Sequence, residues 1–315
     1  FSGGNNNGTT DFYGFLSSHQ ISTRGGLQAG NYFTLSASNI GEYSANGIGN
    51  NQVGYIGNSQ IDIAGVINLG NNASISVTNS GSNKGTGTTN YIGYVNEQQF
   101  HAANTFQAGD HFSISASNIG TSEGIDSTGN YIIANIDSNS GLHGTQMEFE
   151  GTTTVGNYAS FSAVNSGSST GTNFTANIAG MNRGQIMFDH AFNALDYLTI
   201  TAMQEGVNNA TSANGQSVGT ISANQLGFLD SCTIGNYASI SLTQKGSFGG
   251  SNTSSYVNVG GSGGYLFYSG GNFQAGDYFN MNISNEGINS GDGIGYISAN
   301  LGGNGLAKFV STSFF

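Results

Sequence analysis

The chain alternates apolar and small polar residues along short stretches, and the stretches recur. LQAGNYFTLSASNIG, INLGNNASISVTNSG, FQAGDHFSISASNIG, TTVGNYASFSAVNSG, FNALDYLTITAMQEG, CTIGNYASISLTQKG and FQAGDYFNMNISNEG align on one position, occupied by Gly30, Gly70, Gly109, Gly156, Leu195, Gly235 and Gly276. The steps between them are 40, 39, 47, 39, 40 and 41 residues. Numbered from that anchor, odd positions are apolar and even positions are mostly Ser, Thr or Asn. Position −9 holds Ile21, Ile61, Phe100, Met147, Ile186, Leu226 and Phe267. Position +5 holds Leu35, Ile75, Ile114, Phe161, Ile200, Ile240 and Met281. A period of two is that of β-strands with one buried face.

Two arms of strand therefore flank each anchor, and a further strand precedes them in DFYGFL, QVGYIG, YIGYVN, YIIANI, FTANIA, VGTISA and YVNVGG. The anchor glycine and the Asn or Asp after it both tolerate positive φ, so the bend between the arms is expected there. Glycine recurs at +11 without exception, from Gly41 to Gly287. Length varies only between +11 and the next −10 position, so insertions bulge at one corner.

Two columns carry side-chain amides. Position −10 holds Gln20, Gln60, Gln99, Gln146, Gln185 and Gln225, with Leu266 the departure, and +9 holds Asn39, Asn79, Asn118, Asn165, Gln204, Gln244 and Asn285. Identical amides stacked at ~4.8 Å form ladders. These columns predict an all-β β-solenoid (a parallel β-helix) of about seven three-strand coils of ~40 residues, as one domain over 1–315. Residues 1–26 form a part-coil, 27–287 carry the seven anchors, and 288–315 supply the last strands. A seven-bladed β-propeller fits the repeat number, but its blades hold equivalent residues too far apart to ladder.

Composition narrows the function. The chain has 315 residues, 52 glycines, no proline, no tryptophan and 7% charged residues, with a formal net charge of −12. The only basic residues are Arg24, Lys84, Arg183, Lys245 and Lys308, too few and too scattered for a phosphate backbone or an anionic membrane surface. No apolar run is long enough for membrane insertion. Cys232 is the one cysteine and joins an apolar column with Ile67, Phe106 and Phe192. The chain opens on Phe1, which fits a processed, secreted protein at the cell surface or beyond.

No catalytic constellation, cofactor motif or metal site is expected. Glu148 and Glu150 read as solvent-facing charges on even, outward positions. Asp189 and His190 are adjacent on a strand and face opposite ways. His19, His101, His111, His143 and His190 have no metal-ligand spacing. Asp110, Asp196 and Asp277 alternate with Asn at +1, as turn formers in a ladder do. Tyr32, Tyr158, Tyr197, Tyr237 and Tyr278 at +2 form an outward stripe, a self-stacking ladder or interface before a sugar platform.

In style the repeats resemble those of bacterial secreted β-solenoids such as autotransporter-type adhesin passengers, and the Gln, Asn, Gly and Ser ladders resemble those of curlin-type fibre subunits. The resemblance implies an extracellular, adhesive or fibre-forming role. The uncapped terminal strands, with the apolar end KFVSTSFF carrying Phe309, Phe314 and Phe315 and one charge at Lys308, point to self as the partner: a head-to-tail homopolymer in an extracellular fibre, sheath or biofilm matrix. The alternative is an adhesin that binds polysaccharide or a host surface through the Tyr stripe and corner loops, including the insertion at 121–131.

Overall fold

In the computed structural model the strands stack as a coil whose successive turns pair in parallel, a β-solenoid. The structure describes residues 10–44, 49–87, 89–124, 130–137, 144–173, 175–212, 216–252, 256–261, 263–293, 296–298 and 307–314. Among these there is no helix, so none is long and apolar enough to cross a membrane.

Seven ten-residue strands, Thr34–Tyr43, Ser74–Asn83, Ser113–Ser122, Ser160–Ser169, Thr199–Asn208, Ser239–Phe248 and Asn280–Asn289, form one sheet in chain order. Each residue of one strand faces the same repeat position in the next: Leu35 lies beside Ile75, Asn39 beside Asn79 and Gly41 beside Gly81. An eight-stranded sheet runs from Thr10–Tyr13 to Tyr296–Ser298. A 14-stranded sheet and a four-stranded one, the latter of two-residue strands from Thr172–Asn173 to Asp292–Gly293, complete the wall. Every pairing is parallel between equivalent segments, which excludes a propeller.

The arm before the anchor is not one strand. It breaks into two three-residue strands, as in Ile61–Ile63 and Ile67–Leu69, with a corner between them. Phe267–Ala275 and its partner Ala307–Phe314 run through unbroken, and Phe267–Ala275 joins the two halves into one sheet.

The core lies inside the coil. Ile61, Phe100, Met147, Ile186, Leu226 and Phe267 at −9 are fully buried. Large and small residues alternate along the axis at +3, where Phe112, Ala159, Leu198 and Ala238 are all buried, so neighbouring turns interlock. Phe149, Phe188 and Phe228 stack at −7 with centroids 4.9 and 5.2 Å apart. Cys232 is buried in its apolar column, and that burial pushes its thiol pKa well up.

Glycine at +11 answers to space. A Cβ on Gly81 would stand 2.2 Å from the Val53 carbonyl oxygen, and one on Gly41 2.2 Å from that of Tyr13. Here the long strand presses against the eight-stranded sheet, and no other residue fits. The anchor glycines do not supply the positive φ expected of them. That conformation falls at +2, where Tyr32, Asn72, His111, Tyr158, Tyr197, Tyr237 and Tyr278 have φ of 57° to 64°. The turn needs two residues after the anchor, and the second takes the left-handed one.

Candidate functional site

Both amide columns form ladders, with opposite polarity. Gln60 Nε2 donates to Gln20 Oε1 at 2.9 Å, Gln146 to Gln99 at 2.8 Å, and Gln225 to Gln185 at 2.7 Å, each toward the preceding turn. The same amides reach across the interior to the long strand, Gln60 to the Thr78 carbonyl and Gln146 to that of Val164. The Asn ladder runs the other way: Asn39 Nδ2 donates to Asn79 Oδ1, Asn79 to Asn118 and Asn118 to Asn165, at 2.9 to 3.0 Å. Gln204 and Gln244 keep the bond to the Ala179 and Gly219 carbonyls that Asn39 and Asn79 make to Gly14 and Gly54, and their longer side chains donate to a second carbonyl, of Thr220 and Gly261. These buried residues hold the rod together.

A third ladder lies at +1. Each side-chain oxygen accepts from the backbone N–H of the next turn: Asn31 from Asn71, Asn71 from Asp110, Asp110 from Asn157, Asn157 from Asp196, Asp196 from Asn236 and Asn236 from Asp277. Each backbone amide donates to Oδ1, which Asp and Asn both supply, and Asn157 Nδ2 adds a bond to Asp110 Oδ1.

The Tyr stripe at +2 is exposed, from 40% at Tyr197 to 78% at Tyr32. Tyr158, Tyr197, Tyr237 and Tyr278 stack with centroids 4.5, 4.9 and 4.8 Å apart and planes within 7°. His111 continues the stack on Tyr158 at 4.8 Å. Each interior ring covers its neighbour's face and offers solvent an edge and a hydroxyl. The interior of this column is therefore a self-stacked ladder. Asn72 interrupts the column and leaves Tyr32 apart. Phe309 and Phe314 lie on the last strand, Ala307–Phe314, but their side chains, like Phe315, lie outside the described residues.

One patch breaks the repeat. On the outer wall, His19 Nε2 lies 3.9 Å from Asp62 Oδ2, and Asp62 Oδ1 lies 2.8 Å from His101 Nδ1. His101 Nε2 lies 3.4 Å from Glu150 Oε1. Arg183 pairs with Glu148 and, at 3.1 Å, with Asp189. Glu148 is not solvent-facing as its even position implied. Its side chain is fully buried, roofed by Arg183, with Gln98 Nε2 donating to Oε2 at 2.5 Å. An outward strand position is exposed only when its neighbours are small, and here Gln98 and Arg183 from adjoining turns close over it.

His101, Glu148 and Glu150 bring one donor atom each within 4.8 Å and are the residues able to share a cation. The Arg183 guanidinium already neutralises Glu148. Sequence spacing missed the patch because its members come from different columns and turns. The available signal was that −8 and −6 are outward columns with ionisable residues in consecutive copies: Asp62, His101 and Glu148, then Glu150 and Asp189. His190 stands outside this network, and His143 and residues 125–129 of the corner insertion lie outside the described residues. No family model, curated protein or solved structure matches the chain.

Proposed function

We propose that the chain is a structural subunit whose rods stack end to end in an extracellular fibre, sheath or matrix. The observation that carries this reading is the pair of open sheet edges. Among the described residues, Thr34–Tyr43 pairs only with Ser74–Asn83, and Asn280–Asn289 only with Ser239–Phe248. The inward residues of these outer turns, Phe33 and Leu35 at one end and Phe279, Met281 and Ile283 at the other, are only partly buried. Unpaired backbone beside half-covered apolar side chains is the surface that strand addition removes from water.

Polarity favours a heterologous contact. All strands are parallel, so two like ends cannot continue the sheets in register, whereas a head and a tail can. The tail is stepped: Ala307–Phe314 lies alongside Phe267–Ala275, one level beyond Asn280–Asn289. An incoming copy therefore meets two heights, which sets its angle about the axis.

Electron microscopy of the purified chain over a concentration series tests this. Filaments with a meridional ~4.8 Å spacing are expected. Leu35→Lys, which puts a charge on the open edge, should give single rods that still fold. Dispersed monomers at every concentration, or filaments indifferent to Leu35→Lys, would overturn the reading.

A further inference from the structure

The +2 corner is where the repeat holds bulky side chains in a costly conformation. Its seven residues have φ of 57° to 64°, a region open to Gly and Asn. A bulky residue there is strained. Asn72 shows that the corner accepts the easier residue, yet five of the seven positions carry Tyr. Their rings point away from the core, so packing inside the coil does not call for them. Stacking offsets part of that strain. The result is a file of solvent-exposed phenols in contact with one another along the rod axis.

We propose that Tyr158, Tyr197, Tyr237 and Tyr278 are a site of oxidative cross-linking, at which a one-electron oxidant of the haem-peroxidase class, driven by hydrogen peroxide, joins successive turns through dityrosine. Each of two neighbouring phenols gives one electron to the oxidant and its hydroxyl proton to water. The two phenoxyl radicals form a carbon–carbon bond between ring positions ortho to oxygen. Each joined carbon then passes its hydrogen, as a proton, to its own ring oxygen, which restores the aromatic rings and the hydroxyls. The two electrons and two protons released per link reduce one hydrogen peroxide to two waters.

The geometry meets what this chemistry needs. Neighbouring rings lie 4.5 to 4.9 Å apart and within 7° of parallel, so radicals formed on adjacent rings are already in contact. The ring edges stand in solvent, where they can rotate from stacked to edge-joined and where the proton has a place to go. The carbonyl-to-amide ladder beneath them holds the turns in register.

The molecule also contains its own comparisons. Tyr55, Tyr91 and Tyr94 cluster with centroids 5.2 to 5.9 Å apart. Tyr94 is buried, so a soluble oxidant does not reach its ring. Tyr32 is exposed but stands apart from the file, with Asn72 between it and His111. These links form within one chain and do not depend on end-to-end assembly.

The test treats dilute, folded chain with a haem peroxidase and hydrogen peroxide, then maps dityrosine by fluorescence and cross-linked peptide mass. Intrachain links 158–197, 197–237 and 237–278 are expected, with Tyr94 unlinked and no intrachain link to Tyr32. Tyr197→Phe keeps the ring in the stack and should lose the first two links while retaining the third. Tyr237→Phe should retain only 158–197. Absence of dityrosine, links spread over all tyrosines, or an unchanged link pattern in either variant overturns the proposal.

Discussion

The Asp110 carboxylate accepts a 2.7 Å hydrogen bond from the backbone N–H of Asn157, one turn further along the axis. The same side-chain oxygen also accepts from Asn157 Nδ2 at 3.1 Å. Because the ladder needs an acceptor oxygen and no charge, Asp110→Asn should leave unfolding free energy within about 0.5 kcal/mol of wild type. Asp110→Ala removes the acceptor and should cost about 1 kcal/mol or more. Denaturant unfolding of the three chains checks this.

Gly81 and Gly30 separate two reasons for keeping glycine. A Cβ at Gly81 would meet two backbone atoms, the Val53 carbonyl oxygen at 2.2 Å and the Gly93 nitrogen at 2.3 Å. A Cβ at Gly30 meets nothing within 4 Å. Gly81→Ala is expected to cost more than about 3 kcal/mol or prevent folding, and Gly30→Ala to stay within about 0.5 kcal/mol, read as thermal and denaturant midpoints.

Arg183 roofs a carboxylate with no solvent of its own. Arg183→Gln leaves Glu148 charged and buried, which should destabilise the rod by about 3 kcal/mol. Adding Glu148→Gln should recover most of that loss, since the cost lies in the uncompensated charge. A double-mutant cycle measures the recovery; full additivity of the two losses would contradict the account.

High pH should loosen the fold before low charge density would suggest it. Burial raises the Cys232 pKa, and desolvation with Asp137 raises that of Tyr94, so both groups hold their protons more tightly folded than unfolded. Their contribution is complete below the unfolded values, about 8.5 for Cys and 10 for Tyr, and declines as pH rises toward the folded ones. Unfolding free energy should fall from about pH 9 upward, and Cys232→Ala should flatten the first part of that decline. A thiol reagent should leave Cys232 unmodified at neutral pH until denaturant is added.

Much of the architecture was legible without coordinates. Alternation with period two, held over seven copies, permits one register, because a slip of one residue would turn Ile75 and Ile114 out and Ser74 and Ser113 in. Identical registers place identical residues one turn apart, so the core columns and the Gln and Asn ladders followed from counting. The reason is that in a parallel stack the nearest neighbour along the axis is the same repeat position, and sequence alone lists it.

What only the tertiary structure decided concerns neighbours that are not equivalents. Whether the left-handed residue is the anchor, Asn31 or Tyr32 depends on how tightly the corner closes, which a Gly-Asn pair leaves open. The break between Ile63 and Ile67, the press of Gly81 against Val53, and the roof that Gln98 and Arg183 place over Glu148 bring together different columns from different turns. Such contacts are set by corner angles and by side-chain length across the gap between strands. A repeat encodes its axial neighbours in its period; its lateral ones exist only once the coil has closed.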